Sequence, residues 1–250
     1  MRAYWTLVLR ELGSHFKSWT GYVIIAVVVF LIGFSFASML KGLNGQATPV
    51  PMTQIFYETL YFWLILLLVS PVITMRSFAL EKSSGTYETL MTTPINEAQV
   101  VLAKFSGALL FYLVMWLPLL GCLLVVRYYC NQAAAFDPGA VGATFFGIFL
   151  LGALYMALGI FASSITRSQI IAAMVTLALG LSLFMLSFLA AAFATQTGWR
   201  AELVAYVGLM EHMRDFAQGV VDTRPVIFYL SMTTVFLVLT WKAVESRRWK

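Results

Sequence analysis

Charge is what this sequence has least of. Only 11% of its 250 residues are Asp, Glu, Lys or Arg, against about 25% in an average soluble domain. So few charges cannot cover the surface of a soluble 27.9 kDa globule, and a disordered or coiled-coil chain is excluded by the same scarcity. Cysteine is nearly absent. Cys122 and Cys130 are the only two, and eight residues of continuous helix would hold them about 12 Å apart. That exceeds the roughly 7 Å Cα limit for a bridge, so a disulfide framework is excluded unless the chain unwinds near Tyr128.

Reacting groups are equally sparse. No Walker-type phosphate loop occurs, so ATP is not bound here by that route. Glu211, His212 and Asp215 have no second histidine or cysteine near them, and they read as a solvated charged turn rather than a metal site. Gly180-Leu181-Ser182 has no histidine within the apolar segments to act as its base. No charged residue lies in the central third of any long apolar run, which disfavours a proton- or sodium-driven carrier. Glu58 and Arg76 only bracket one run from its two ends. The expectation is a chain that is not an enzyme and carries no cofactor of its own.

What the sequence has in abundance is apolar length. Apolar residues make up 61% of the chain, and mean hydropathy is +0.86. Only helices or closed barrels satisfy every backbone polar group in lipid. A barrel would alternate apolar and polar residues over about ten positions. Here the apolar runs are continuous and about twenty long, the length of a membrane-crossing helix. Six are predicted, over 21–40, 55–75, 105–126, 141–165, 170–194 and 226–241. The fold class is thus an all-α integral membrane protein, with residues 1–250 forming one transmembrane domain. About twenty residues precede the first run, which is too long for a signal-peptide core and is read as an uncleaved helix.

With six spans both termini share a side. Eleven of the sixteen Lys and Arg residues fall on that side, and the positive-inside rule makes it cytoplasmic. The +5 net charge is then a topology signal. No folded basic face with stacking aromatics exists for nucleic acid.

Between the spans, four features stand out. Residues 1–19 step through Trp5, Val8, Leu12 and Phe16, with Thr6, Arg10, Ser14 and Lys17 opposite, predicting an amphipathic helix in the cytoplasmic interface. Pro71 and Pro118 remove hydrogen bonds inside spans two and three. Ala172, Thr176 and Gly180 form a small-residue stripe in span five, and Gly33 with Ala37 a shorter one in span one. Such stripes permit close helix contact, within a subunit or across a dimer. Residues 195–225 carry a stripe of Leu203, Val207, Met210, Met213 and Ala217, predicting short external re-entrant helices that end at Gly219.

Residues 76–104, the longest cytoplasmic connection, are punctuated by a Ser-Ser-Gly-Thr break and a Thr-Pro stop. Thr86 is the expected cap of a short helix over 87–91, and Asn96 of the next. The run Glu81-Lys82-Ser83-Ser84-Gly85-Thr86-Tyr87-Glu88-Thr89-Leu90, followed by Thr93-Pro94 and Val101-Leu102-Ala103-Lys104, resembles the first cytoplasmic loop of ABC transporter type-2 permeases. Lys82 stands where that family often has arginine, and Ala103 where it often has glycine. The run from Glu211 to Arg224, with the closing Glu245-Ser246-Arg247-Arg248, is similar to the family's gliding-motility branch.

The resemblance implies a permease subunit of an ATP-driven exporter in the bacterial inner membrane. It implies a second permease chain, identical or not, and a separate ATP-binding cassette subunit that carries ATP and Mg. It also implies that Glu81, Lys82, Ser84, Gly85, Thr86, Glu88 and Leu90 form the coupling helix and its flank. Two other readings stay open on the residues alone. One is an ATP-independent secondary transporter or channel, and the other a membrane scaffold subunit of cell-envelope machinery.

Overall fold

The computed structural model describes residues 2–43, 50–87, 96–130, 137–193 and 206–246. The helices bounded within them are α1 (Arg2–Phe16), α2 (Trp19–Leu43), α3 (Met52–Glu58), α4 (Leu60–Thr74), α5 (Ala79–Ser84), α6 (Glu97–Cys130), α7 (Pro138–Ile165), α8 (Gln169–Phe193), α9 (Leu209–Ala217) and α10 (Thr223–Glu245). Six stretches are long and apolar enough to cross a membrane: α2, Leu60–Ser84, α6, α7, Gln169–Phe188 within α8, and α10. The all-helical fold with six spans is therefore as the sequence predicts.

Helix starts follow the local chemistry. Asp137 accepts a hydrogen bond from Gly139 N at 2.9 Å, with Pro138 in the first turn of α7. Asp222 accepts from Arg224 N at the head of α10. Asn96 accepts from Ala98 N at 3.2 Å, the cap expected before α6. Each satisfies a backbone donor that the first helical turn leaves free. Gly85 ends α5 at φ +74 and Gly219 follows α9 at φ +85, both in the left-handed region that glycine enters most cheaply.

α7 is the axis of the bundle. It packs against α10, α8, α9, α4 and α6, and nearly its whole length is buried. Glycines on different sides of it admit the neighbours. A Cβ at Gly152 would overlap the Tyr112 ring of α6, and one at Gly159 would overlap Thr74 of α4. A Cβ at Gly147 would lie 2.8 Å from the Phe216 ring of α9. Around these crossings the core is filled by large side chains, among them Trp63, Trp116, Tyr112, Tyr155 and Phe62.

Two expectations need correction here. Span two does not begin at Ile55. The chain turns extended at Thr59 (φ −72, ψ 146), whose N–H and hydroxyl both bond Phe56 O, so the crossing starts at Leu60. Ile55 belongs to α3, which is tied sideways to α9: Tyr57 OH donates to Met210 O, and Thr53 Oγ1 to Ala217 O at 3.1 Å. Second, Trp5 departs from the apolar stripe of α1, whereas Val8, Leu12 and Phe16 pack inward and Thr6, Arg10, Ser14 and Lys17 lie exposed opposite, as expected. Trp5 is exposed, while Leu7 and Val8 are buried and Tyr4 bonds Ser106 of α6 at 2.7 Å. Glu11 and His15 also face α6, where Lys104 and Phe111 receive them.

Gly159→Ala should destabilise the purified protein by about 1–3 kcal/mol, since the interior has no room for the added methyl. Gly33 and Gly142 have nothing within 4 Å of an added Cβ. Alanine there should be neutral or stabilising by up to about 1 kcal/mol through helix propensity. Thermal unfolding in detergent of the three variants side by side checks the ordering.

Candidate functional site

The charged residues that the sequence scatters over three segments converge at one end of the bundle. Lys104, in the second turn of α6, is 3% exposed. Its Nζ lies 2.7 Å from Glu81 Oε1 of α5 and 3.1 Å from Glu11 Oε1 of α1. Arg10 sits over the pair at 3.1 Å from Glu11 and 4.0 Å from Glu81. The Phe78 ring covers the ammonium at 5.1 Å from its centroid, a cation–π contact. α1 comes this close because Gly107, one turn beyond Lys104, has no side chain: a Cβ there would stand 2.9 Å from Glu11 Cβ. Burial alone would raise the Glu11 carboxyl, but the charges and hydrogen bonds of Lys104 and Arg10 hold it below its ordinary value. Burial lowers His15, which stacks on Phe111 at 5.1 Å.

α5 is fastened to α7 as well. Ser163 Oγ accepts from the N–H groups of Phe78 and Ala79, both at 3.0 Å, and donates to Met75 O at 3.2 Å. Lys82 donates to Ser164 O, near the C-terminus of α7, where a cation also meets the negative end of the helix dipole. The turn between α4 and α5 is thereby tied to α1, α6 and α7 together.

The residues singled out by sequence divide accordingly. Glu81 and Lys82 point inward and are engaged within the chain. Ser84, Gly85 and Thr86 form an exposed tip with Ser83. Thr86 is itself helical, so the cap expected at Thr86 belongs one position earlier; its hydroxyl instead bonds Ser84 at 2.9 Å. Glu88 and Leu90 lie outside the described residues. Glu11 escaped the sequence reading because it lies 70 positions from Glu81 on another element. Lys104 was visible as part of the loop pattern, without its partners.

The small-residue stripe of α8 faces inward. Ala172 and Thr176 are fully buried. Tyr155 OH of α7 donates to Gly180 O at 3.0 Å, and a Cβ at Gly180 would lie 2.9 Å from that ring. Gly33 and Ala37 of α2 lie on an exposed face.

At the opposite end, residues 211–215 are helical rather than a solvated turn. His212 is 7% exposed and packs on Phe228 and Tyr229. It shares α9's inner face with Leu209, Met213, Phe216 and Ala217; of the predicted stripe, Met213 and Ala217 are buried, Val207 and Met210 pack partly buried against the same core, and Leu203 lies outside the described residues. Among the described residues no group of three or more His, Cys, Asp or Glu is placed to hold a metal.

Two measurements test these environments. Lys104→Met leaves two carboxylates without their buried cation and should cost about 3–5 kcal/mol. Removal of Lys242, whose pair with Glu245 is largely exposed, should cost less than about 0.5 kcal/mol. Burial pushes His212 down to about 4, against a small opposing pull from Asp222. The unfolded chain, near 6.5, therefore binds more protons between these values. Stability is full above pH 6.5 and falls as pH drops toward 4, by at most about 3 kcal/mol. His15 contributes in the same direction. Subtracting the melting profile of His212→Gln from that of the parent protein should isolate the His212 share; identical profiles would mean that the imidazole is not held neutral.

Residues 5–246 match the profile of the ABC-2 family transporter proteins. No curated protein matches the sequence. The family match spans nearly the whole chain, over the same six spans and the α5 junction described above. The chain belongs to the ABC-2 family of transporter proteins and is a membrane-spanning permease subunit of an ABC transporter.

Proposed function

We propose that this chain forms half of an ATP-driven exporter, pairing with a second permease chain while two ATP-binding subunits dock on the α5 end of the bundle. That end faces the cytoplasm in this reading, as the distribution of lysine and arginine supports. The resemblance of residues 211–224 favours placement near the gliding-motility branch of the family, as a label of descent rather than of phenotype. Filled by Trp63, Trp116, Tyr112 and Tyr155, the interior of one chain leaves a path between two chains as the reading best suited to a solute. An apolar interior surface between them would suit a lipid-linked, amphipathic or peptidic cargo.

The observation that carries the proposal is the fastening of α5. Its exposed tip at residues 83–86 is free to be pressed by a partner. Its base is locked by Glu81 to Lys104 and by Ser163 to the turn at residues 75–79. A push on the tip is then delivered to α1, α6 and α7 as a rigid displacement. In this arrangement the tip, with Ser84, Gly85 and Thr86, meets the ATP-binding subunit, and Glu88 and Leu90 continue the docking segment. Glu81 and Lys82 transmit the movement rather than touch the partner. ATP and Mg remain on the partner.

The test separates those roles. Ser84→Arg should reduce recovery of the ATP-binding subunit with tagged permease while leaving the permease's own melting temperature unchanged. Glu81→Lys puts a third cation beside Lys104 and Arg10, and should lower both. Full recovery and normal coupled ATP hydrolysis in Ser84→Arg would remove the tip from the docking surface.

A further inference from the structure

Beside the Lys104 cluster lies a cavity of about 310 Å³, within the usual size range of small-ligand sites. It is framed by α1, the first turn of α2, the end of α4, α5 and α6. Three cations, Arg10, Arg76 and Lys104, and two carboxylates, Glu11 and Glu81, line it. Four of these five are spent on one another in the cluster already described. Arg76 is not. Its Nη1 donates to Ser18 at 3.1 Å and to Thr20 at 2.8 Å, but these hydroxyls are neutral. Its Nε is buried without a hydrogen-bond partner. Glu81 presents the complementary deficit: Oε1 takes Lys104, and Oε2 is buried without a partner.

One cavity is thus lined by a guanidinium paired only with neutral hydroxyls and by a carboxylate shared with Lys104, each with one buried atom left without a partner. A simple anion would answer the first and be repelled by the second. A simple cation would do the reverse. A ligand that answers both carries a phosphate and a hydrogen-bonding ammonium a short distance apart. The level in the membrane points the same way. Trp19 and Tyr22, on the outward side of the α2 turn that frames the cavity, are 87% and 62% exposed, as expected of aromatic side chains at the headgroup boundary. Ile24 and Val72 line the same cavity from the membrane-spanning parts of α2 and α4, giving acyl chains an apolar track away from the charges.

We propose that this cavity binds the headgroup of an aminophospholipid, with the phosphate on Arg76 and the ammonium on Glu81. The lipid then fills the space beneath α1, so that movement of this helix and occupancy of the site are linked.

Full-length protein, purified in detergent and stripped of lipid, is titrated with phosphatidylethanolamine, phosphatidylcholine, phosphatidylglycerol or water-soluble glycerophosphoethanolamine. Native mass spectrometry and melting temperature are the readouts. Phosphatidylethanolamine should bind about tenfold tighter than phosphatidylcholine, whose quaternary nitrogen has no N–H to donate, and tighter than phosphatidylglycerol, which has no ammonium. Arg76→Gln should weaken all three phospholipids, whereas Glu81→Gln should abolish only the preference for phosphatidylethanolamine. Because those residues also support the fold, Ser14→Phe is a second variant. Ser14 lines the cavity from α1, is exposed, and bonds only back to Glu11 O of its own helix. Phenylalanine there should obstruct the cavity and lower lipid binding while the apo melting temperature holds. Equal binding of the three phospholipids, or a preference that survives both Glu81→Gln and Ser14→Phe, would overturn the proposal. Glycerophosphoethanolamine binding as tightly as the lipid would also overturn it, by making the occupant a soluble phosphoamine.

Discussion

Everything in this bundle is arranged around how closely other helices approach α7. An apolar helix in lipid gains little from burying its side chains against another apolar helix, because the acyl chains it leaves are equally apolar. What favours association is dense van der Waals contact, and that requires short interaxial distances. Gly147, Gly152 and Gly159 supply them at three levels along the helix, each receiving a bulky or branched side chain from a different neighbour: Phe216, Tyr112 and Thr74. The arrangement reverses the usual division of labour. The central helix contributes the holes and the surrounding helices contribute the knobs. α8 repeats the device at Gly180, where the Tyr155 ring lies against the glycine and its hydroxyl bonds the Gly180 carbonyl.

The charged end obeys a different economy. Lys104 is almost fully removed from water, which is tolerable only because two carboxylates and an aromatic face replace its hydration. Such a cluster is weak evidence for net stability, since both signs lose solvation. It is strong evidence for position: the geometry that satisfies Lys104 requires α1 and α5 to be present together on α6. The uncharged bonds of Ser163 extend the same constraint to α7. The end of the bundle therefore behaves as a junction at which no one helix moves without breaking the satisfaction of another.

Legibility in the sequence tracks the range of the interactions. Span number, helix caps at Asn96 and the glycine stops at Gly85 and Gly219 depend on residues a few positions apart, and all were readable. Failures came where a distant partner decided. Thr59 breaks the second apolar run because α3 is fastened to α9 more than 150 residues away, and nothing local marks that. Glu11 of α1 meets Lys104 93 residues on, a contact that the apolar stripe does not foretell. His212 looked like part of a polar turn, since a histidine between Glu211 and Met213 carries no sign of which face will be covered. Polar partners far apart in sequence, as for Thr53, Tyr57 and Glu11, decide placements that the apolar pattern leaves open.

That asymmetry bears on how force would travel through the proposed exporter. Apolar contacts between spans are many and individually weak, so helices sliding within them exchange one set of contacts for a similar set. Polar clusters at the membrane boundary have few alternative partners and hold discrete geometries. A protein that must move its spans as units is best served by soft contacts along the spans and a stiff, directional connection at the point where force arrives. The Lys104 junction, with α5 at its outer edge and α1 along its side, has that character. The glycine crossings of α7 have the other, and the two meet near residues 159–164, where Gly159 receives Thr74 and Ser163 receives the α4–α5 turn one helical turn later.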